Sequence, residues 1–420
     1  VTRIVIVAFG SRGDVAPFTG LGVRLRSAGY TVAIAAMAAH ADLVTDAGLE
    51  YRFLPKDMEE ESRSELSQQL IEGTAMRPSR KQLAEMVDSM RGMGPAIVEA
   101  ARGADVLLLN ATGSMFGFHV AEGLGIPSMG VFMQPMAPTG EFPPSVIGTR
   151  SLGRWGNRTL GKLAALGDKP FLGQINEVRA AVGLRPTTVK EYAPRRNTTW
   201  PIMHGFSPTV VPRPSDWRPG LEVAGFWWPE LPTRWEPPAE LADFIDAGAP
   251  PVYVGFGSTA TNDGERYSDI IGAALRKAGV RGVVQSGWAK LHCTGDDVIT
   301  IDEIPHRWLF PQMSAVVHHC GAGTTAAGLQ AGVPTVPVTG IMDQPFWAKR
   351  LTTLGVAPTA IRRKEVDADT LADAITRAVS EPRFRTRAKE VSAALAHEDG
   401  AGAVVDAVEA LCAHEACWET

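Results

Sequence analysis

The feature that most constrains the fold is an apolar run, Met313 to Val317. It breaks through His318-His319-Cys320-Gly321-Ala322-Gly323-Thr324 into an alanine-rich helical pattern from about Thr325 to Ala331. Strand, glycine turn and helix start in that order gather free backbone N–H groups and the positive end of a helix dipole at one place. Such a place binds phosphate. Gly321 and Gly323 are expected to supply φ > 0 and close ligand approach, while His319 and Thr324 add side-chain donors. The spacing is neither the G-x-G-x-x-G of a dinucleotide site nor a Walker A loop, which needs a lysine.

The same alternation runs along the chain. Residues 3–9 read as a buried strand, 15–28 as a helix and 31–36 as the next strand, followed by strands at 105–109 and 127–132. A second series follows at 251–256, 282–285, 298–301, 315–318 and 335–338. Alternating elements of this kind make parallel sheets flanked by helices. Between Pro201 and Pro238 lie nine prolines and four tryptophans, with neither period sustained. Proline at that density makes a stiff connector. The expected division is 1–215, a connector 216–238, 239–398 and a terminal helix in 399–420. The polar stretch 56–95 reads as mobile helices over a cleft.

A chain of 420 residues supports two cores, and 45% apolar with 21% charged residues is ordinary for a globular enzyme. The net charge of −5 gives no footing for a nucleic-acid stripe or an anionic-membrane patch, so any positive field must be local. Cysteines 293, 320, 412 and 417 have no ladder or C-x-x-C spacing, which favours a reduced, cytoplasmic setting. No apolar stretch reaches the roughly 18–20 residues of a membrane span. Asp367-Ala368-Asp369, the only Asp-x-Asp, precedes a helical pattern and reads as capping, and adjacent His318-His319 lack zinc spacing, so no metal is expected.

His-x-Gly-x-Gly-Thr at 319–324, Ala-Gly-Val-Pro at 331–334 and Met342-Asp343-Gln344-Pro345 together resemble the donor-sugar signature of the family-1 nucleotide-sugar glycosyltransferases. Phe9-Gly10-Ser11-Arg12-Gly13-Asp14-Val15-Ala16-Pro17 is similar to the branch of sterol glucosyltransferases and antibiotic glycosyltransferases. Matches at Phe206-Ser207-Pro208, Gly255-Phe256-Gly257-Ser258 and Glu303-Ile304-Pro305-His306-Arg307-Trp308-Leu309-Phe310 spread the resemblance over nearly the whole chain. It implies an α/β GT-B fold: two Rossmann-like domains facing each other across a cleft, with the C-terminal helix crossing back onto the N-terminal domain.

The resemblance also assigns roles. Ser258 and the turn His319, Gly321, Ala322, Gly323, Thr324 would flank the donor pyrophosphate, with Ser11, Arg12 and Gly13 contacting donor phosphate or sugar from the opposite domain. Asp343 and Gln344 would grip sugar hydroxyls; Glu303, Ile304 and Trp288 would line the nucleobase pocket. Asp14 stands where many relatives have a histidine base and is the candidate general base. It also suits a helix N-cap. Where plant relatives place a partnering aspartate, this chain has Asn110. His40, His119 and Glu141 are alternative bases.

Ten of thirteen methionines precede residue 137, and flexible thioethers suit a bulky apolar acceptor. Met86, Met133 and Phe142 are the expected acceptor-pocket residues. The reading is an inverting transfer of a hexose or deoxyhexose from a UDP- or dTDP-sugar to a lipophilic polyketide, macrolide, polyether or sterol-like alcohol. No cofactor beyond that co-substrate is expected, and the protein would be a monomer or homodimer. A non-catalytic sugar-nucleotide-binding auxiliary protein, a GT-B-type UDP-sugar epimerase and a nicotinamide oxidoreductase are the rival readings.

Overall fold

The computed structural model describes residues 1–64, 79–164, 166–231, 235–259 and 263–416. The chain forms two parallel sheets. The first has the order β3-β2-β1-β4-β5-β6-β7 and the second β10-β9-β8-β11-β12-β13. In the first sheet these are β1 Arg3–Val7, β2 Thr31–Met37, β3 Glu50–Leu54, β4 Val106–Leu109, β5 Ser128–Phe132, β6 Ile202–His204 and β7 Leu221–Val223. In the second they are β8 Val252–Gly255, β9 Gly282–Gln285, β10 Val298–Ile301, β11 Ala315–His318, β12 Thr335–Thr339 and β13 Ile361–Arg362.

The strands at the centre are short apolar runs because helices cover both faces of each sheet. In β1, Ile4 and Ile6 pack with Ile34, Leu108 and the helix Arg12–Ser27, whereas Val5 and Val7 face the opposite core. That helix contributes Phe18, Leu21 and Leu25, all fully buried, at about 2 kcal/mol each for the transfer from water.

Both sheets reverse direction of growth between a central pair, β1/β4 in one and β8/β11 in the other. A crevice opens beyond the carboxyl ends of strands at such a switch point. The loops leaving β1, β4, β8 and β11 therefore hold the residues that can meet a ligand.

One expectation of organisation changes. The connector was placed at 216–238, but Leu221–Val223 pairs in parallel with Ile202–His204 and completes the first sheet. Three residues between prolines are too short to show a strand period. Within the polar stretch 56–95, residues 65–78 lie outside the described residues; the flanking helices are Met58–Ser62 and Arg80–Ser89. Arg63 reaches the second domain, donating to the Trp288 carbonyl at 2.9 Å.

The terminal helix Gly400–Ala416 returns to the first domain, where Val404, Val405 and Val408 join the core of Phe18, Leu21 and Leu25. Its entry is fixed by close contact. A Cβ on Gly400 would lie 2.6 Å from the Gly225 carbonyl, and the Trp227 indole donates to the Gly400 carbonyl at 3.1 Å.

Candidate active site

A cavity of about 610 Å³ lies between the domains, lined from both. On the first-domain side the chain leaves β1 through Phe9 and Gly10 into the helix Arg12–Ser27, whose N-cap is Ser11. Asp14 is the third residue of that helix rather than its N-cap. Its Oδ2 accepts the Ser11 N–H at 2.8 Å and the Ser11 hydroxyl at 3.0 Å, so the carboxylate closes a capping box. Oδ1 has no protein partner among the described residues, and Asp14 lines the cavity. Desolvation raises the Asp14 pKa, against the lowering effect of the two Ser11 hydrogen bonds.

Gly10 is required beside it. Its φ is +147°, and a Cβ there would lie 2.3 Å from Asp14 Oδ2. Asn110, leaving β4, donates from Nδ2 to the Phe9 carbonyl at 2.7 Å and accepts the Gly113 N–H at 2.8 Å. Both ends of its amide hold backbone, so it fixes the turn that carries Asp14. Pro17 has no N–H to give the Gly13 carbonyl, which therefore lacks its helical i+4 donor.

On the opposite wall, β11 ends at His318 and the helix Ala322–Ala331 begins after Gly321. Its first ladder bond runs from Thr325 N–H to the Gly321 carbonyl at 2.9 Å. The N–H groups of Ala322, Gly323 and Thr324 precede that ladder at the positive end of the dipole. The expected left-handed glycines are corrected here. Gly321 has φ −63°, Gly323 is not among the positive-φ positions, and the left-handed residue of the turn is Cys320, φ +65°. Burial of the Cys320 side chain and its N–H bond to His318 Nδ1, 3.0 Å, hold this conformation.

The glycines serve clearance instead. A Cβ on Gly321 would lie 2.6 Å from His319 Nε2, and one on Gly257 would lie 2.9 Å from His319 Cε1. The imidazole is thus seated between two glycines. A Cβ on Gly323 would meet nothing nearer than the Gly13 carbonyl across the cleft, at 3.8 Å. Desolvation, then the nearby Arg363 guanidinium, lower the His319 pKa to about 4, so the ring is neutral at pH 7. Its Nδ1 is buried without a hydrogen-bond partner among the described residues.

The sugar-binding candidates sit between these walls. Asp343 occupies the N-cap position of the helix Gln344–Leu354 but makes no cap bond; its Oδ2 accepts the Trp347 indole N–H at 2.8 Å. Desolvation raises its pKa to about 6; the Asp14 charge adds to this, while hydrogen bonds from Trp347 and Gln134 oppose it. Gln344 accepts the Gly340 N–H through Oε1 at 2.8 Å, which leaves its amide NH₂ as a donor.

Ser258, Trp288, Glu303 and Ile304 also line the cavity, and the Trp288 N–H donates to the Gly257 carbonyl at 3.1 Å. Arg12 and Glu303 form an ion pair at 3.0 Å between the domains. Of the acceptor candidates, Met133 lines the cavity but Met86 and Phe142 do not. Met86 packs against the first-domain core, and the Phe142 ring packs at a tilt against Phe346 with ring centroids 5.4 Å apart. The substitute bases are also elsewhere. His119 is buried beside Arg179 at 3.1 Å, Glu141 binds Ser215 at 2.7 Å, and His40 is not a lining residue.

Gln134, in the loop expected at the acceptor cleft, and His306, beside the expected nucleobase segment, line the cavity too, and the sequence analysis missed the connector tryptophans Trp227, Trp228 and Trp235, which also line it. A connector rich in tryptophan between two facing domains is the signal that could have found the last three. Among the described residues no group of three or more His, Cys, Asp or Glu could hold a metal ion. Asp367 caps its helix by accepting from Asp369 N–H and Thr370 N–H. No helix of the described residues is long and apolar enough to cross a membrane.

The chain is similar to known proteins along most of its length. Residues 4–143 match the glycosyltransferase family 28 N-terminal domain, and residues 285–411 match the erythromycin biosynthesis protein CIII-like C-terminal domain. The chain is 34% identical to sterol 3-beta-glucosyltransferase UGT80A2 of Arabidopsis thaliana, over 96% of this chain and 64% of that protein. It thus spans under two thirds of that relative's length. It is also 34% identical to O-mycaminosyltylonolide 6-deoxyallosyltransferase of Streptomyces fradiae, over 95% of this chain and 94% of the relative. A crystal structure of glycosyltransferase VinC in complex with DTDP superposes with a TM-score of 0.68 at 18% identity, covering 98% of this chain and 99% of that one. The fold is that of the GT-B glycosyltransferases. Among them, the chain belongs to the family that contains the sterol glucosyltransferases and the macrolide and other antibiotic glycosyltransferases.

Proposed function

We propose that the chain transfers a hexose or deoxyhexose from a UDP- or dTDP-sugar to a hydroxyl of a lipophilic natural product or sterol, with inversion at the anomeric carbon. The observation that carries this reading is that one cavity has a carboxylate with a free oxygen, Asp14, on one wall and a helix N-terminus beside His319 on the other. Asp14 Oδ1 accepts the proton of the acceptor hydroxyl. The acceptor oxygen attacks the anomeric carbon as the bond from that carbon to the phosphate oxygen breaks. The negative charge that develops on the departing diphosphate falls on the N–H groups of Ala322, Gly323 and Thr324 and on the His319 ring.

The raised Asp14 pKa suits proton acceptance, because a base is most effective when its pKa approaches the working pH. Asp343 and the Gln344 amide offer an acceptor and a donor to adjacent sugar hydroxyls. Met133 and Met136, with the tryptophans of the connector, give the acceptor an apolar wall. The donor reading draws on the DTDP complex of VinC, and the acceptor reading on the sterol and tylonolide relatives. Incubating the protein with a panel of UDP- and dTDP-sugars and hydrophobic alcohols, with mass detection of the conjugate, tests it. Formation of a free epimer without acceptor would contradict it.

A further inference from the structure

The helix Gly153–Ala164 faces the wrong way for a helix of a globular domain. Its buried positions are Asn157 and Gly161, one turn apart, and a Cβ on Gly161 would lie 3.0 Å from Pro138. At 100° per residue, Trp155, Thr159 and Leu163 lie opposite those two positions. Trp155 is 82% exposed and Leu163 60%, and Leu152, just before the helix, is 58% exposed. An amphipathic helix normally turns its large apolar side chains to the core; here Asn157 and Gly161 pack inward, Thr159 is half-buried, and Trp155 and Leu163 face solvent.

The flank of that outward face is basic. Arg154, Arg158 and Lys162 follow at intervals of four, which aligns them along one side of the helix. Between 145 and 169 the charged residues are Arg150, Arg154, Arg158, Lys162 and Lys169 against Asp168 alone, a local excess of four on a chain of net charge −5. Arg158 has an acidic neighbour in Asp216, at the long distance of 3.9 Å. The whole-chain charge therefore conceals a local positive field.

We propose that this face docks the protein on a lipid bilayer surface that carries anionic headgroups. An exposed tryptophan with leucines beside a basic row is the pattern of a helix lying in a membrane interface, apolar side chains in the acyl boundary and cations among the phosphates. A second copy is the poorer occupant, because two-fold pairing of this face brings each basic row toward its own copy. The inward side of the helix, Asn157 and Gly161, lines a small pocket with Met136, which also lines the cavity, so the docking face lies on the far side of this helix from the acceptor wall. Docking itself does not rest on the transferase reading.

The test is sedimentation of the whole protein with vesicles of phosphatidylcholine alone and of phosphatidylcholine mixed with phosphatidylglycerol. The protein should bind the anionic vesicles and be released by salt. Trp155→Ser, and separately the triple change Arg154→Glu, Arg158→Glu, Lys162→Glu, should each lower partitioning roughly tenfold or more. Both variants should keep the wild-type melting temperature and nucleotide affinity, and Leu163→Ser serves if either fails to fold. Absence of binding, or binding that none of these variants reduces, overturns the proposal. So does a wild-type dimer that Trp155→Ser dissociates, because the face then belongs to a second copy. Loss of transferase activity by Asp14→Asn with vesicle binding intact separates the two readings.

Discussion

Arg12 and Glu303, one from each domain, form an ion pair at 3.0 Å across the mouth of the cavity. Each was expected to meet a part of the donor: phosphate for Arg12, nucleobase for Glu303. They meet one another, and under the proposed function a diphosphate draws the guanidinium away from the carboxylate. Both side chains are substantially exposed, which keeps the pair weak and salt-sensitive. Arg12→Ala should weaken UDP or dTDP binding several-fold, while Glu303→Gln should leave it equal or tighter by freeing Arg12. Calorimetry on both variants checks this, and an equal loss in the two would contradict it.

Asp14→Asn removes a proton acceptor while its amide oxygen can still close the capping box with Ser11. Turnover should fall by roughly 10²–10⁴, with nucleotide affinity within about twofold, as a residue on the acceptor side implies. Gly10→Ala should show a milder form of the same defect, because its Cβ would displace Asp14 Oδ2 from a distance of 2.3 Å. Unchanged kcat in Asp14→Asn would remove the residue from the reaction.

His319 is held between Gly257 and Gly321, so its position can be disturbed without changing it. Gly321→Ala places a methyl group 2.6 Å from Nε2 and should reproduce most of the loss of nucleotide-diphosphate affinity expected for His319→Ala. Losses of roughly 1.5–3 kcal/mol are expected for a hydrogen bond to a charged group. Wild-type affinity in His319→Ala would contradict the assignment.

Several histidines are buried and kept neutral. Desolvation lowers His119, His204 and His319 to about 4 and His306 to about 3. In the unfolded chain each binds a proton near 6.5, so acid favours unfolding. Their contribution to stability is present above about pH 6.5 and is lost as pH falls from there toward 4. Asp343, raised to about 6, and Asp14, also raised by desolvation, work in the opposite sense over part of this range but are outnumbered by the histidines. The melting temperature should therefore drop between pH 7.5 and pH 5; a flat profile would show that these rings are not held neutral.

Metal independence is part of the proposal, since the charge on the departing diphosphate falls on backbone N–H groups and His319. Turnover should survive EDTA, and a loss restored by Mg²⁺ would assign part of that role to a cation.

The strands were legible because a parallel sheet covered on both faces demands short apolar runs, and β9, β10 and β11 fall where those runs lie. The site was legible where backbone geometry defines it: the turns after β1, β8 and β11 all line the cavity. Side-chain packing was not. Methionine composition pointed to Met86 and the resembled family's acceptor loop to Phe142, and these found partners in a core and in Phe346. The left-handed residue fell on Cys320 because its side chain packs inside while Gly321 must make room for His319. Sequence alone did not reveal the outward stripe of Trp155 and Leu163 either. Helical spacing shows that a stripe exists, whereas only packing shows which side of the helix meets the protein.

The central claim is that the turn from His319 to Thr324 receives the donor diphosphate. A crystal structure of the protein with UDP or dTDP tests it most directly. The phosphates should lie against the N–H groups of Ala322, Gly323 and Thr324 with a His319 ring nitrogen in hydrogen-bond reach. A diphosphate seated elsewhere in the cavity, with that turn unengaged, would contradict it.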